Sequence, residues 1–262
     1  MSRLRIFFSS AVFSFKAQFS WLNPSMWLTM KFVLSLSQMA FFVFVGLFIR
    51  GPDVISFIAI GNALQVVSWN TVFSVVAIAA HDKWDGTLPL VLATPASRLP
   101  LFIGRAMIHV LDGMLSVAIS FAFAAFLFGV NFGQANALPL IVTVLLTAFT
   151  MAGYGLMIGG LAFYFREPVI FANIFLFILL VFCGVNFPVQ DLPQPLQPIS
   201  YVFPLTYGVK ATRSAIAGAS LFDISTLLGQ QLLVGLLSIM LGYFFFRTFE
   251  HLARKTGRIE AV

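Results

Sequence analysis

The chain has 262 residues, is 60% hydrophobic and only 9% charged, and has a mean hydropathy of +0.99. A soluble domain carries about 25% charged residues, so this chain lacks the charge to cover a water-facing surface and reads as an integral membrane protein. Its net charge of +6 points away from nucleic acid here and toward the bias of basic residues to the cytoplasmic side of a membrane.

A single cysteine, Cys183, excludes an intrachain disulfide framework and a multi-cysteine zinc site. The basic N-terminus has no clean apolar core or cleavage site, so no cleavable signal peptide is expected. In residues 2–22, Leu4, Phe8, Ala11, Phe15, Phe19 and Leu22 recur in steps of three and four. Ser9, Lys16 and Ser20 lie roughly opposite, and only Phe13 breaks the stripe. This pattern predicts an amphipathic helix over 1–23 lying in the membrane interface, ended by Asn23-Pro24.

With roughly 20 apolar residues per crossing, six spans are expected, near 30–49, 55–80, 106–129, 138–163, 169–187 and 227–249. With the N-terminus inside, twelve of the fifteen Lys and Arg residues fall on inner segments or inner span edges, leaving Arg50, Lys210 and Arg213 outside. That asymmetry places both termini in the cytoplasm. The fold class is therefore an all-α integral membrane protein, a single transmembrane domain over 1–262, with spans one to five in 30–187.

The first polar interruption, between spans two and three, is a run from His81 to Arg105. Gly86 allows a tight turn, Thr87 can cap a helix and Pro89 sits in its first turn. Leu88, Val91 and Leu92 fall on one side, and Thr94-Pro95 stops the helix. A helix this short is not stable alone; it makes sense as a knob that fits a groove on a partner. The second interruption is 188–223. It contains Pro188, Pro193, Pro195, Pro198 and Pro204, yet stays fairly apolar. Irregular backbone at membrane depth must be covered by protein or line a wet cavity, so this segment is expected to dip back into the outer leaflet. Thr206–Ala217 is expected to form a short helix within it, before span six at 227–249.

Catalytic chemistry is not apparent. There is no G-x-x-x-x-G-K-[ST] phosphate loop and no H-E-x-x-H, and the three histidines lie far apart. No catalytic or metal site is expected. Asp112 is the one acid expected inside a span, with His109 on the same helix face. An acid at the bilayer centre costs about 2.5–3.5 kcal/mol on insertion scales. His109 and Asp112 thus form a possible intramembrane polar site, although a lone acid with no basic partner at its depth makes a poor proton relay. Gly155-x-x-x-Gly159 offers a small-residue face for helix packing. Most of the 32 phenylalanines are expected to face lipid or fill the bundle.

These features together resemble the permease subunits of ABC-2 type ABC transporters. The specific part is Gly86-Thr87-Leu88-Pro89-Leu90-Val91-Leu92-Ala93-Thr94-Pro95, similar to the family's Gly-Thr-Leu-x-x-x-Leu-x-Thr-Pro run. The resemblance implies a coupling helix at 86–95 that docks on an ATPase through Asp82, Asp85, Gly86, Thr87, Leu88, Val91, Leu92, Thr94 and Pro95. Pro89 stands where many members carry Glu. A second likeness is Phe187-Pro188, Leu192-Pro193 and Phe203-Pro204-Leu205-Thr206-Tyr207, similar to the family's outer re-entrant hairpin. It implies an outer hairpin or gate built from Phe187, Pro188, Pro193, Phe203, Pro204 and Tyr207. The family further implies separate cytoplasmic ABC ATPase subunits, which hold the ATP and Mg, and a second permease chain in a homo- or heterodimer. No cofactor is expected in this chain. An exporter of a hydrophobic or amphipathic small molecule, drug or peptide antibiotic is the expected function. Export of a lipid-linked glycan or lipid is the alternative, and a stand-alone ion-coupled transporter the second alternative.

Overall fold

The computed structural model describes residues 8–9, 12, 23–84, 86, 98–163, 165 and 167–256. Among them there are helices and turns but no strand. Of the expected interfacial helix only Phe8, Ser9 and Val12 are described, and they are helical; the rest of 1–22 lies outside the described residues. Five helices are long and apolar enough to cross a membrane: Pro24–Arg50, Pro52–Ala77, His109–Phe126, Ala137–Gly159 and Ser225–Phe249.

Helix α1 (Pro24–Arg50) starts six residues before the expected span. Proline at the first helical position loses no intrahelical bond and presets φ, so Asn23-Pro24 opens a helix here as well as closing the preceding stretch. Arg50 lies in its last turn, where a cation complements the helix dipole. Gly51, at φ +84, reverses the chain, with its N–H on the Leu47 carbonyl at 3.0 Å. After one 3-10 turn the second crossing runs through α2 (Ile55–Ser68), a π-helical turn at Trp69–Phe73, and α3 (Ser74–Trp84). Trp84 and the start of α4 (Arg98–Phe126) mark one end of the bundle, hereafter the loop end; between them only Gly86 is among the described residues. Leu127–Asn136 then turns at the opposite end, with Gly129 at φ +68 and the Val130 N–H on the Ala124 carbonyl at 2.9 Å.

Helix α5 (Ala137–Gly159) is the axis of the fold. Its hydroxyls bond back along their own helix: Thr143 to the Pro139 carbonyl at 2.8 Å, Thr147 to Thr143 at 2.7 Å and Thr150 to Leu146 at 2.8 Å. Polar side chains are thereby satisfied without water, as membrane depth requires. Leu64, Met151, Leu176 and Leu205, from four different helices, meet around α5 with no exposure.

Helix α6 (Pro168–Phe182) corrects the fifth expected span. It stops at Phe182 instead of continuing to 187, because Gly184 takes a left-handed φ of +70 and turns the chain. Its 15 residues reach about 22 Å at 1.5 Å per residue, short of the ~30 Å hydrocarbon core. Single helical turns at Val189–Asp191, Gln194–Leu196 and Gln197–Ser200 follow. Helix α7 (Pro204–Ile216) again opens on proline. Helix α8 (Ser225–Thr256) closes the chain and is longer at both ends than the expected 227–249.

Close packing of α5 on α8 depends on missing side chains. A Cβ at Gly242 would sit 2.8 Å from the Gly153 carbonyl oxygen, and one at Gly153 would sit 3.0 Å from the Ile239 nitrogen. Without a hydrophobic drive between helices in lipid, such backbone proximity is what holds them together.

Candidate functional site

Two polar centres sit in an otherwise apolar bundle. The first lies where α1, the π turn and α4 meet. The Lys31 ammonium donates to the Asp112 carboxylate and to the Asn70 side-chain oxygen. Both charged side chains are mostly covered, with 11% and 8% of their surface exposed. Asn70 in turn donates to the Val66 carbonyl at 2.8 Å, and Thr71 to the Val67 carbonyl at 2.8 Å. A π turn widens the helix by one residue and is common at functional positions; here it places Asn70 beside the ion pair. Lys31 also lies 5.6 Å from the Trp27 ring centroid. Asp112 therefore has a basic partner, contrary to the expectation from sequence. A span beginning at 30 puts Lys31 at its inner edge; the helix begins at Pro24, which carries Lys31 about two turns into it. A neutral pair at depth is far cheaper to hold than a lone acid. His109, one turn before Asp112, is buried.

The second centre is the opposite, or hairpin, end. Arg213 on α7 reaches back to α6 and across to α2. Its guanidinium donates to the carbonyls of Gly184 at 2.9 Å, Val185 at 3.0 Å and Phe57 at 2.8 Å, and it stacks 3.3 Å from the Phe57 ring centroid. The Gly184 and Val185 carbonyls lie just past the C-terminus of α6, where a cation complements the dipole, while the Phe57 carbonyl belongs to the first turn of α2. Below it, three amides form a chain: Gln38 donates to Asn62 at 3.3 Å, and Asn62 to Asn186 at 2.8 Å. Arg50 clamps Asp191 with two bonds of 3.0 Å, tying the end of α1 to the segment after α6.

Helix α7 lies antiparallel beside α5. The Asn136 N–H reaches the Ala215 carbonyl at 2.9 Å at the hairpin end. Midway, Gln231 donates to Thr147 at 2.7 Å, and a Cβ at Gly208 would meet the Thr147 hydroxyl at 2.5 Å. At its start Phe203 packs on Tyr154, ring centroids 6.0 Å apart, while the Tyr154 hydroxyl donates to the Val202 carbonyl at 2.8 Å.

The structure distributes the residues singled out from sequence unevenly. Phe203, Pro204 and Tyr207 are buried at the start of α7. Phe187 and Pro188 are half-buried and Pro193 is exposed. Tyr207 donates to the Tyr201 carbonyl at 3.1 Å. Gly155 faces the second crossing, its Cβ position 3.2 Å from the Val72 Cα and 3.3 Å from the Thr71 oxygen; Gly159 lies 3.6 Å from the Val75 oxygen. Asp82 is in the last turn of α3, and Gly86 is exposed with φ +66. Asp85, Thr87, Leu88, Val91, Leu92, Thr94 and Pro95 lie outside the described residues. Sequence reasoning missed Lys31, Asn70, Asn62, Asn186 and the role of Arg213. A search for every polar residue within a helix that starts at Pro24 would have found the first.

A helical membrane protein with polar centres at two levels of its bundle is the class these features define. Within it, the chain belongs to the ABC-2 type transporter family, which it matches over residues 11–217. It is 23% identical over 145 residues to the "Probable multidrug ABC transporter permease YbhR" of Escherichia coli K12, covering 55% of this chain and 39% of that protein. It is 27% identical over 146 residues to the "Linearmycin resistance permease protein LnrN" of Bacillus subtilis 168, covering 55% of this chain and 37% of that protein. The matched part thus spans under two fifths of either relative.

Proposed function

We propose that this chain is the membrane subunit of an ATP-driven exporter in the cell membrane. It works as a dimer with a second permease chain, identical or related, and with separate cytoplasmic ATPase subunits that bind ATP and Mg. The observation that carries this reading is the family match from the N-terminal segment through α7. The loop end and both termini face the cytoplasm, as the basic residues favour. The 86–95 segment docks on the ATPase, so nucleotide-driven motion reaches α3 and α4 directly. Binding in one place then shifts the balance between two packings of the bundle.

The cargo is a hydrophobic or amphipathic small molecule, drug or peptide antibiotic. The multidrug and linearmycin-resistance names of the relatives support that choice. On the outer side, 183–216 acts as a re-entrant hairpin and gate. Support for this comes from α7, which begins beside Tyr154 and ends beside Asn136. Helix α6 serves as the fifth of six crossings, with the bend at Gly184 completing its depth.

The test is affinity purification of the full chain from its native membrane, with mass spectrometry and an ATPase assay on the eluate. A Walker-type ATPase is expected to co-purify, and Leu88→Glu with Leu92→Glu is expected to abolish its recovery. Recovery of the chain alone, active in vesicles without ATP, would overturn the assignment.

A further inference from the structure

A cavity of ≈ 260 Å³ opens at the hairpin end among α2, α7 and the segment after α6. Its walls include Phe57, Gly184, Gln190, Lys210, Arg213 and Ser214. Among the described residues two cations line it and no carboxylate does. Asp191, from the same segment, is engaged by Arg50, and Asp223, past the end of α7, accepts from Ser220.

The charge of Arg213 is only partly answered. Its hydrogen bonds go to neutral carbonyls, and its buried Nε has no hydrogen-bond partner among the described residues. Lys210 lies one helical turn earlier, on the same face of α7. An ammonium has three donors; that of Lys210 spends one on the Tyr201 hydroxyl at 3.4 Å, and it sits 4.7 Å from that ring's centroid. Ser214 adds a hydroxyl to the same wall. Two cations answered only by neutral groups among the described residues, with a serine beside them, are a recognition set for anionic oxygen. The volume equals about eight or nine waters at ~30 Å³ each, room for a phosphate group and its ester.

We propose that this cavity binds a net-anionic phosphate-bearing headgroup, one without the neutralising ammonium of choline, with Lys210 supplying the accessible charge and Arg213 the buried one. This goes beyond the transport reading and does not depend on it, since it concerns binding by the resting chain. The phosphate could arrive on a phospholipid or as a free anion, and the experiment separates these sources.

The full chain is placed in phosphatidylcholine nanodiscs with spin-labelled phosphatidylglycerol or spin-labelled phosphatidylcholine, and the motionally restricted fraction is measured. Wild type is expected to prefer the phosphatidylglycerol probe. Lys210→Gln is expected to lower that preference about fivefold, the equivalent of about 1 kcal/mol per cation near a membrane surface. Arg247→Gln, which removes a cation on α8 that does not line the cavity, is expected to leave it unchanged. Displacement of the probe by excess inorganic phosphate would identify the free phosphate group as sufficient; no displacement would tie recognition to the lipid. Either result supports the site. No preference in wild type, a preference that survives Lys210→Gln, or an equal loss with Arg247→Gln would overturn it. Lys210→Gln decides the matter even if an Arg213 variant fails to fold.

Discussion

Lys31 on α1 and Asp112 on α4 form an ion pair across 81 positions of sequence. The pair joins two helices that otherwise touch through apolar side chains such as Phe32 and Phe123, whose rings meet edge-on at 5.5 Å. It also shares its ammonium with Asn70 of the π turn. Three consecutive crossings are thereby held at one point by polar contacts.

Asp112→Asn is expected to strand the Lys31 charge. Breaking a mostly covered pair by removing one partner costs about 3–5 kcal/mol in soluble interiors. The melting temperature of the detergent-solubilised chain should fall clearly. The swapped pair, Lys31→Asp with Asp112→Lys, should recover most of the loss. Equal instability of the single and double variants would show that the pair itself contributes nothing.

The α5–α8 seam gives a steric prediction. Gly242→Ala places a methyl group 2.8 Å from the Gly153 carbonyl oxygen, a backbone atom that cannot swing aside. Overpacking of this kind costs about 1–3 kcal/mol. Gly229→Ala, on the same helix with nothing within 4 Å, is the control and should be neutral or slightly stabilising through better helix propensity. Thermal unfolding followed by circular dichroism checks both.

Arg213→Gln is expected to release the carbonyls of Gly184, Val185 and Phe57. Hydrogen bonds to charged groups contribute about 1.5–3 kcal/mol each. Hydrogen exchange across residues 184–192 should accelerate at least tenfold, while α5 stays protected. Uniform acceleration across the chain would mean that Arg213 supports the whole bundle and not this segment alone.

The link between α7 and α8 carries a pH-dependent contact. The Ser220 hydroxyl and N–H donate to the Asp223 carboxylate at 2.7 and 2.8 Å, holding its pKa below the ordinary carboxylate range. A carboxyl depressed in the folded state contributes stability above its unfolded value, about 3.9, and loses it as pH falls through the lowered folded value. Protection at 219–224, the exchange rate relative to the intrinsic rate at each pH, should therefore be flat from neutral pH to about 5 and fall only below about 4. Asp223→Asn should show the reduced protection at every pH.

Proline opens a helix at Pro24, Pro168 and Pro204, yet only the start near Pro168 was legible in sequence; the expected first span begins at 30 and the expected short helix at Thr206. The helical class and most span positions followed from apolar runs. Partnership was not legible. Nothing in the local pattern around Asp112 names Lys31, because the two meet only through the packing of α1 on α4. The early end of α6 was hidden for the same reason: Cys183 through Phe187 is apolar enough to continue a span, and Arg213, on another helix, holds the bend at Gly184 and Val185. The π turn could not be read from Trp69–Phe73 at all, since π and α turns share the same apolar spacing over so few residues.

That turn sets a bearing for everything beyond it. One surplus residue in a helix rotates the following segment by about 100° relative to an uninterrupted α-helix. Helix α2 is buried on every side from Ile58 to Ser68, whereas beyond Trp69–Phe73 helix α3 buries Val75, Val76 and Ala80 and leaves His81 and Trp84 exposed. Removing a single residue there would leave the crossing long enough and apolar enough, yet would swing Trp84 about a quarter turn around the axis. The compass heading of the loop end is thus written in the count of residues halfway along a helix.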